Sequence, residues 1–226
     1  MGFLFILFLC ACYLLGSIPF GLVLTRLAGL GDLRKVGPGT IGATNVLRTG
    51  RKDLAALTVL LDAGKAAFCA FIATHLFPDE PFASFCAGFL AIIGHNFPIW
   101  LKFKGGKGVA STLGLMLYLT PLTGLCVCLT WLLMAVLFRY SSLSALMAMV
   151  LAPLYAILFG DDIVFIFGYF LLMLLSFVRH KSNIHRLLHG KESKIRLKKG
   201  THTNADDGKG TSKLDQAKPN RRRRSR

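Results

Sequence analysis

Long apolar runs that carry few charges are the feature that most restricts how this chain can fold. Only 17% of its 226 residues are charged, whereas roughly a quarter are charged in a typical soluble domain. Six apolar runs occur, at residues 3–25, 54–78, 82–101, 109–138, 143–159 and 163–178. Most of them are long enough for a helix to cross a hydrocarbon core of about 30 Å. The sequence therefore predicts an all-α, polytopic integral membrane protein and argues against a soluble or disulfide-rich secreted domain.

The fourth run is too long for a single crossing. Residues 109–138 would extend about 45 Å at 1.5 Å per residue, against a core of about 30 Å. Thr120-Pro121-Leu122-Thr123-Gly124 lies near its middle, where proline removes a backbone donor and glycine permits a turn. Dividing the run there predicts seven transmembrane helices, with a short fourth span at residues 109–120.

Basic and acidic residues alternate between successive loops. If residues 29–53 are cytoplasmic, the basic stretches at 26–52, 102–107, 139 and from 179 onward all lie in the cytoplasm, and the acidic pairs at 79–80 and 161–162 lie outside. Six crossings would place the first basic loop or the basic tail outside, against the positive-inside rule. We therefore expect an outer N-terminus, a cytoplasmic C-terminus and a retained first span, because no basic region precedes that span.

The last fifth of the chain differs from the rest. Residues 179–226 hold 16 Lys and Arg against 4 Asp and Glu, and so carry most of the net charge of +16. We expect a membrane-embedded domain at 1–197 and a disordered basic tail at 198–226. The tail is expected to contact anionic lipid headgroups; RNA binding is the alternative, although no folded module accompanies the cluster. The six cysteines form no Cys-x-x-Cys pair, so we expect no metal site.

Three polar stretches fall on the cytoplasmic side in this topology. They cover residues 34–48, residues 94–98 leading to 104–111, and residues 179–186. They are rich in Gly, Asn, His and basic side chains, in contrast to the apolar runs around them. Loops that converge on one membrane surface predict a site there.

The second stretch has the composition of an anion-binding loop. Its glycines expose backbone N–H groups before a predicted helix, and Lys107 adds a full positive charge. It is not a Walker A loop, because Leu101 and Gly108 hold the places where that motif needs Gly and Ser or Thr. The alternative reading is a lysine that extends to the membrane surface beside a turn.

The other two stretches pair an asparagine with cationic residues. His180 and Asn183 would share a face if the last span continued as a helix, with Arg186 further round it. A histidine at a membrane surface can also be a simple polar anchor. In the first stretch Asn45 and Arg48 have the same spacing, and the alternative there is a loop capped by Asn45 before a basic helix start.

The motifs together resemble a known family. Gly-x-x-Gly-Ala-Thr-Asn-Val-Leu-Arg, then Gly-His-Asn-Phe-Pro with Phe-x-Gly-Gly-Lys-Gly-Val-Ala, then His-x-x-Asn-Ile-x-Arg-Leu-Leu-x-Gly-x-Glu are similar to the bacterial membrane acyltransferases that acylate glycerol 3-phosphate from acyl phosphate. The likeness runs from about Gly16 to Glu192. It implies an inner-membrane enzyme whose cytoplasmic site makes 1-acyl-glycerol 3-phosphate, the first step of phospholipid synthesis, without a cofactor or an obligatory protein partner.

By this resemblance the glycine-lysine loop holds glycerol 3-phosphate, and the first and third motifs serve catalysis and acyl-phosphate binding. The expected catalytic residues are Thr40, Asn45, Arg48, His180 and Asn183. The expected substrate-binding residues are His95, Lys104, Gly105, Gly106, Lys107, Gly108, Ser111, Arg179 and Arg186.

One departure from the family pattern and two rival functions provide alternatives to this interpretation. Pro38 and Thr40 stand where the family usually has Ser and Asn, which leaves an impaired family member as an alternative. A transporter of a small phosphorylated compound would need ionisable residues within a span, for which Asp62 and Lys65 are candidates, although they also suit a pair within one helix turn. A non-catalytic scaffold is the third reading.

Overall fold

The computed structural model describes residues 2–195, and the expected disorder of residues 198–226 lies outside the described residues. Residues Met1–Ile195 form one compact unit. The regular structure of the described residues is helical. The helices are α1 Gly2–Gly16, α2 Phe20–Leu27, α3 Ala43–Val46, α4 Lys52–Leu76, α5 Pro81–Asn96, α6 Val109–Leu119, α7 Pro121–Phe138, α8 Ser141–Phe159, α9 Ile163–Arg179 and α10 Lys181–Leu188. The two longest connections, between α2 and α3 and between α5 and α6, carry the first and second motifs.

The lengths of these helices match the apolar runs. Four segments within residues 2–195 are long and apolar enough to cross a membrane, namely α4, α7, α8 and the stretch Pro81–Leu101. Two bent pairs pass the same test together, α1 with α2 and α9 with α10, and α6 is a shorter apolar helix. The expected break in the fourth run is present, since α6 ends at Leu119 and α7 begins with Pro121 in its first turn.

Small residues allow the central helices to approach closely. A methyl group added to Gly16 of α1 would overlap the backbone of Ala91 in α5, and one added to Gly94 would overlap the backbone at Tyr13. Gly114 of α6 contacts the backbone at Ala63 of α4 in the same way. Close backbone contact through Gly and Ala is how membrane helices gain packing energy without help from the hydrophobic effect.

Large apolar side chains cover the outer surface of the bundle. Leu129, Leu133 and Val136 of α7 are 54%, 58% and 68% exposed. A soluble monomer rarely leaves such a continuous apolar surface in water. This surface suits contact with lipid.

Two breaks bend the bundle at one end. The chain turns by 43° between α1 and α2, where Pro19 has no N–H to continue the helix. It turns by 65° between α9 and α10 at His180. The third motif therefore differs from the continuous helix considered above: the chain bends at His180, and His180 and Asn183 are both buried.

The basic loops all lie at that end. The hydroxyl groups of Thr44 and Ser141 are 3.2 Å apart, and Arg48 donates to Ser193 Oγ at 2.6 Å. The acidic pairs lie at the opposite end, where Thr123 donates to Asp161 at 2.6 Å. The alternation of charge along the sequence thus corresponds to two chemically different ends of the bundle.

Candidate active site

The first motif is a loop held together by Asn45. Its side-chain nitrogen donates to the carbonyl oxygens of Leu33, Val36 and Thr40 at 3.0, 3.0 and 2.7 Å. Asn45 is 1% exposed. Because an amide nitrogen has two N–H donors and both face these carbonyls, Asn45 has no N–H left for a substrate. Asn45 was expected among the catalytic residues, but in this geometry its amide nitrogen shapes the loop instead.

Arg48 leaves this loop and extends toward the third motif. It is exposed, and its guanidinium lies beside Gly37 and bonds Ser193. Thr40 is half-buried and uses its carbonyl to accept from Asn45, while Pro38 is exposed. Both residues of the family departure therefore lie on the loop that carries Arg48.

The second motif folds back onto the end of α5. The N–H of Gly105 donates to Asn96 O at 3.2 Å, and that of Gly106 donates to His95 O at 3.0 Å. These two N–H groups were expected to bind a phosphate, but the loop's own turn uses them. A Cβ on Gly106 would overlap the His95 ring, and Gly108 has φ +75°. Glycine is needed at both positions, for close approach and for a left-handed backbone.

Arg179 fastens this loop to α9. It donates from Nε to Gly106 O at 3.1 Å and from Nη2 to the carbonyls of Gly105 and Gly106 at 3.1 and 2.8 Å. Its guanidinium carbon lies 4.7 Å from the centre of the Phe97 ring, a cation–π contact. Arg179 was expected to bind phosphate, and the structure shows that most of its contacts instead connect the second motif to the third.

His180 is buried with a defined tautomer. Its Nδ1 lies 2.8 Å from Ser176 O, and because a carbonyl only accepts, Nδ1 carries the proton and Nε2 carries a lone pair. Burial and the nearby charge of Lys107 lower the pKa of His180 to about 4. The ring is therefore neutral near pH 7.

A single carboxylate joins the residues of the third motif. Glu192 accepts from Asn183 Nδ2 at 2.7 Å, from Ser142 Oγ at 2.8 Å and from Arg186 Nε at 2.7 Å. Burial alone would raise its pKa, but these three hydrogen bonds outweigh burial and lower it. Glu192 thus remains ionised at neutral pH and sits where several donors converge on one anion.

Lys107 lies among the charges of all three motifs. Burial and repulsion from Arg186, Arg179 and Arg48 lower the pKa of Lys107 to about 8, and Glu192 opposes that change. The pKa of Lys107 is thus affected by cations of both the first and the third motif. A partly buried cluster with this excess of positive charge is suited to bind an anion.

Buried polar atoms without a hydrogen-bond partner concentrate at the same end. Within residues 2–195 they are Asn45 Oδ1, both polar atoms of the Asn96 side chain, Ser111 Oγ, Asn183 Oδ1 and Trp131 Nε1. All of these except the Trp131 atom belong to the motif stretches. Because buried polar groups are normally paired, these atoms are candidates to bind a polar ligand.

The structure also places some residues differently from the sequence expectations. Lys104 is exposed on its loop, and His95 bonds Lys65 of α4 rather than standing alone. Asp62 and Lys65 form an ion pair of 2.9 Å inside the protein, as one helix turn suggested. Ser142 was missed, although it follows Arg139 at a loop already assigned to the basic side.

Helices with a lipid-facing surface and a cationic, polar end define an integral membrane protein with a candidate site at that end. The sequence model for glycerol-3-phosphate acyltransferase matches residues 6–190. A glycerol-3-phosphate acyltransferase of Rhodospirillum rubrum is 57% identical over 196 residues, covering 84% of this chain and 90% of that protein. One of Maricaulis maris is 54% identical, with 86% and 88% of the two chains covered.

A solved structure shares the fold. The crystal structure of PlsY (YgiH), an integral membrane glycerol 3-phosphate acyltransferase in its glycerol 3-phosphate form, superposes with a TM-score of 0.80 at 36% identity and covers 85% of this chain and 96% of that one. The chain therefore belongs to the glycerol-3-phosphate acyltransferase family and is a multi-pass membrane acyltransferase. The transporter and scaffold readings are not favoured.

Proposed function

We propose that this protein transfers an acyl group from acyl phosphate to the sn-1 hydroxyl of glycerol 3-phosphate, releasing phosphate and 1-acyl-glycerol 3-phosphate. The observation that carries the proposal is the set of hydrogen bonds that joins the three motifs: Arg179 donates to the glycine-lysine loop, and Arg48 donates to Ser193, which follows Glu192. Both substrates carry phosphate groups, so an acyl transfer between them needs two anions held side by side. Membrane lipids surround the apolar helices, which accommodate the acyl chain.

The chemistry requires positioning more than covalent help. An acyl phosphate is a mixed anhydride with a good leaving group, so no acyl-enzyme is expected. The acceptor hydroxyl attacks the carbonyl carbon, the carbon–oxygen bond to phosphate breaks, and the hydroxyl proton is lost. Correct placement of two reactants contributes about 7–11 kcal/mol in favourable cases.

Several residues have assigned tasks in this proposal. Lys107 binds the phosphate of glycerol 3-phosphate with help from Lys104, Gly108 and Ser111, and Arg48 with Arg186 binds the acyl phosphate. Asn183 and Thr40 are assigned to contact the reacting groups of the two substrates. The side-chain oxygen of Asn183 is buried and has no hydrogen-bond partner among residues 2–195. Arg179, Gly105, Gly106 and Asn45 hold these groups in place through the contacts described above.

The protonation state of His180 indicates which group accepts the proton of the attacking hydroxyl. Its Nε2 lone pair can accept the hydrogen bond of the attacking hydroxyl and orient it. A pKa of about 4 makes the ring a weak base, and a general base works best with a pKa near the operating pH. We therefore assign the final proton to the departing phosphate, with His180 orienting the hydroxyl.

The proposal also assigns the topology. It places seven spans with the N-terminus outside, the site at the cytoplasmic face of the bacterial inner membrane, and a domain boundary near residue 197 followed by a basic tail. The positive-inside rule and the collection of basic loops at one end support this orientation.

Purified protein should test the reaction directly. Labelled glycerol 3-phosphate is incubated with acyl phosphate, acyl coenzyme A or acyl carrier protein as the donor. Formation of labelled 1-acyl-glycerol 3-phosphate from acyl phosphate alone is the expected result. Equal or better turnover with a thioester donor would contradict the proposed donor.

A further inference from the structure

A buried charged triad lies behind the second motif. Asp62 and Lys65 belong to α4 and His95 ends α5, and their side chains are 3%, 1% and 5% exposed. Lys65 Nζ lies 2.9 Å from Asp62 Oδ1 and 2.8 Å from His95 Nδ1, and it donates to Ile18 O at 3.1 Å. An ammonium group has three donors. Each donor of Lys65 therefore has one partner.

These contacts fix which nitrogen of His95 carries the proton. A lysine ammonium has no acceptor, so Nδ1 of His95 must accept and the ring proton must sit on Nε2. Asp62 supplies the counter-charge that keeps Lys65 compatible with burial. Its Oδ1 is also 3.4 Å from His95 Nδ1, close enough to accept from that nitrogen if Lys65 were removed.

The Nε2 side of the ring faces the glycine-lysine loop. A side chain added at Gly106 would overlap Nε2, and the N–H of Gly106 donates to His95 O. Within residues 2–195 the ring makes its hydrogen bonds through Nδ1. The Nε2–H thus has no hydrogen-bond partner in the described part of the chain and faces the loop that carries Lys107, so it is free to donate to an acceptor on a ligand.

We propose that Asp62 and Lys65 hold His95 in its Nε2–H tautomer, so that His95 donates to a phosphate oxygen of glycerol 3-phosphate and does not act as a base. The inference rests on the function proposed above. It specifies how His95, already expected to bind substrate, makes its contact, and it adds a positioning role for Asp62 and Lys65. His180 has the opposite tautomer, with its proton on Nδ1. One histidine donates to the phosphate and the other accepts from the hydroxyl.

The tautomer can be measured without turnover. Protein labelled with ¹⁵N-histidine is compared by NMR with His95→Gln, which assigns the His95 signals. The native ring should show a protonated Nε2, and Lys65→Met should move that proton to Nδ1, where Asp62 accepts it. A protonated Nδ1 in the native protein would overturn the proposal. Because this readout needs no acyl transfer, it is independent of the proposed reaction.

Kinetics separate positioning from simple stability. Lys65→Met should raise the KM for glycerol 3-phosphate about tenfold, the value of one hydrogen bond to a charged group, with little change in the KM for acyl phosphate. The double variant Asp62→Leu/Lys65→Met removes both charges, so no buried charge is left unpaired and the stability should recover. Its KM for glycerol 3-phosphate should stay high, because His95 is still not held. Recovery of the native KM in this double variant would show that the triad is only structural.

Two further variants complete the test. His95→Gln can place an amide N–H near the position of Nε2, whereas the shorter side chain of His95→Asn reaches only the position of Nδ1, so the Gln variant should bind glycerol 3-phosphate more tightly. The reverse order would contradict the donor role. Thr58→Val is the matched control, because Thr58 is a buried polar residue of α4 whose hydroxyl, within residues 2–195, bonds only Leu54 O of its own helix. Its KM should equal that of the native protein.

Discussion

At the scale of single residues, Lys107 is the cation whose charge depends most on pH within the site. Its pKa is lowered to about 8 by burial and by the neighbouring arginines, so the free enzyme loses this charge as pH rises through that value. The kcat/KM for glycerol 3-phosphate should therefore decrease above about pH 8, since kcat/KM reports groups of the free enzyme.

Substitutions at Lys107 test that assignment. Lys107→Arg keeps its charge at high pH and should move the alkaline decrease upward. Lys107→Ala should raise the KM for glycerol 3-phosphate much more than that for acyl phosphate. An unchanged alkaline limb in the Arg variant would assign the pH dependence to another group.

Thr40 is the second residue whose role can be measured singly, because it carries a hydroxyl two residues from Pro38, which stands where the family usually has serine. Thr40→Ala should cost about 1.5–3 kcal/mol, or roughly 10- to 150-fold in rate, if its hydroxyl bonds a charged phosphate in the transition state. Pro38→Ser should raise activity and make the Thr40 change less harmful.

The double variant gives the coupling between these two positions. Residues that share one task show non-additive effects in a double-mutant cycle. If neither single change alters the activity, the hydroxyl is dispensable and Arg48 is sufficient to bind the phosphate. If the native chain turns over only after Pro38→Ser, the protein is a folded but impaired member of its family.

At the scale of elements, the segment after α10 closes the third motif. Glu192 follows α10 in the chain and accepts hydrogen bonds from Asn183, Ser142 and Arg186. The next residue, Ser193, accepts one from Arg48. Glu192→Ala should lower the free energy of unfolding by about 1–3 kcal/mol, because partly buried donors lose their acceptor. Glu192→Gln keeps one acceptor oxygen and should cost less.

A thermal unfolding series in one detergent measures this effect. Lys191→Ala, a change at an exposed neighbour, is the control and should leave the melting temperature unchanged. An unaltered melting temperature in Glu192→Ala would mean that the donors find other partners and that the segment does not hold the motif.

At the scale of the whole molecule, the two ends of the bundle predict its orientation. Single cysteines are introduced on a cysteine-free background at exposed positions of the basic end, Lys35, Lys104 and Lys191, and of the acidic end, Glu80 and Asp162. A membrane-impermeant maleimide applied to intact cells should label the acidic-end positions, and the basic-end positions only after lysis. Labelling of Lys104→Cys in intact cells would contradict both the seven-span topology and the cytoplasmic site.

The architecture could be predicted from sequence because its causes are local. Apolar length against bilayer thickness gives the segments, Thr120-Pro121 gives the break within the fourth run, and the alternation of charge gives the end at which each loop lies. The motif order alone indicated the family that the comparisons then showed. Each of these signals can be read along the chain without knowledge of which distant residues contact one another.

The sequence by itself thus determined an all-helical membrane protein, its basic end and the stretches that build its site, whereas the tertiary structure decided what each side chain does there. Asn45 and the N–H groups of Gly105 and Gly106 resembled substrate donors, but neighbouring carbonyls occupy them. The tautomer of His95 depends on a lysine 30 residues away, and Arg48 meets a serine 145 residues away. A hydrogen-bond donor bonds the acceptor that the fold places nearest to it, and this pairing is decided only by the tertiary structure.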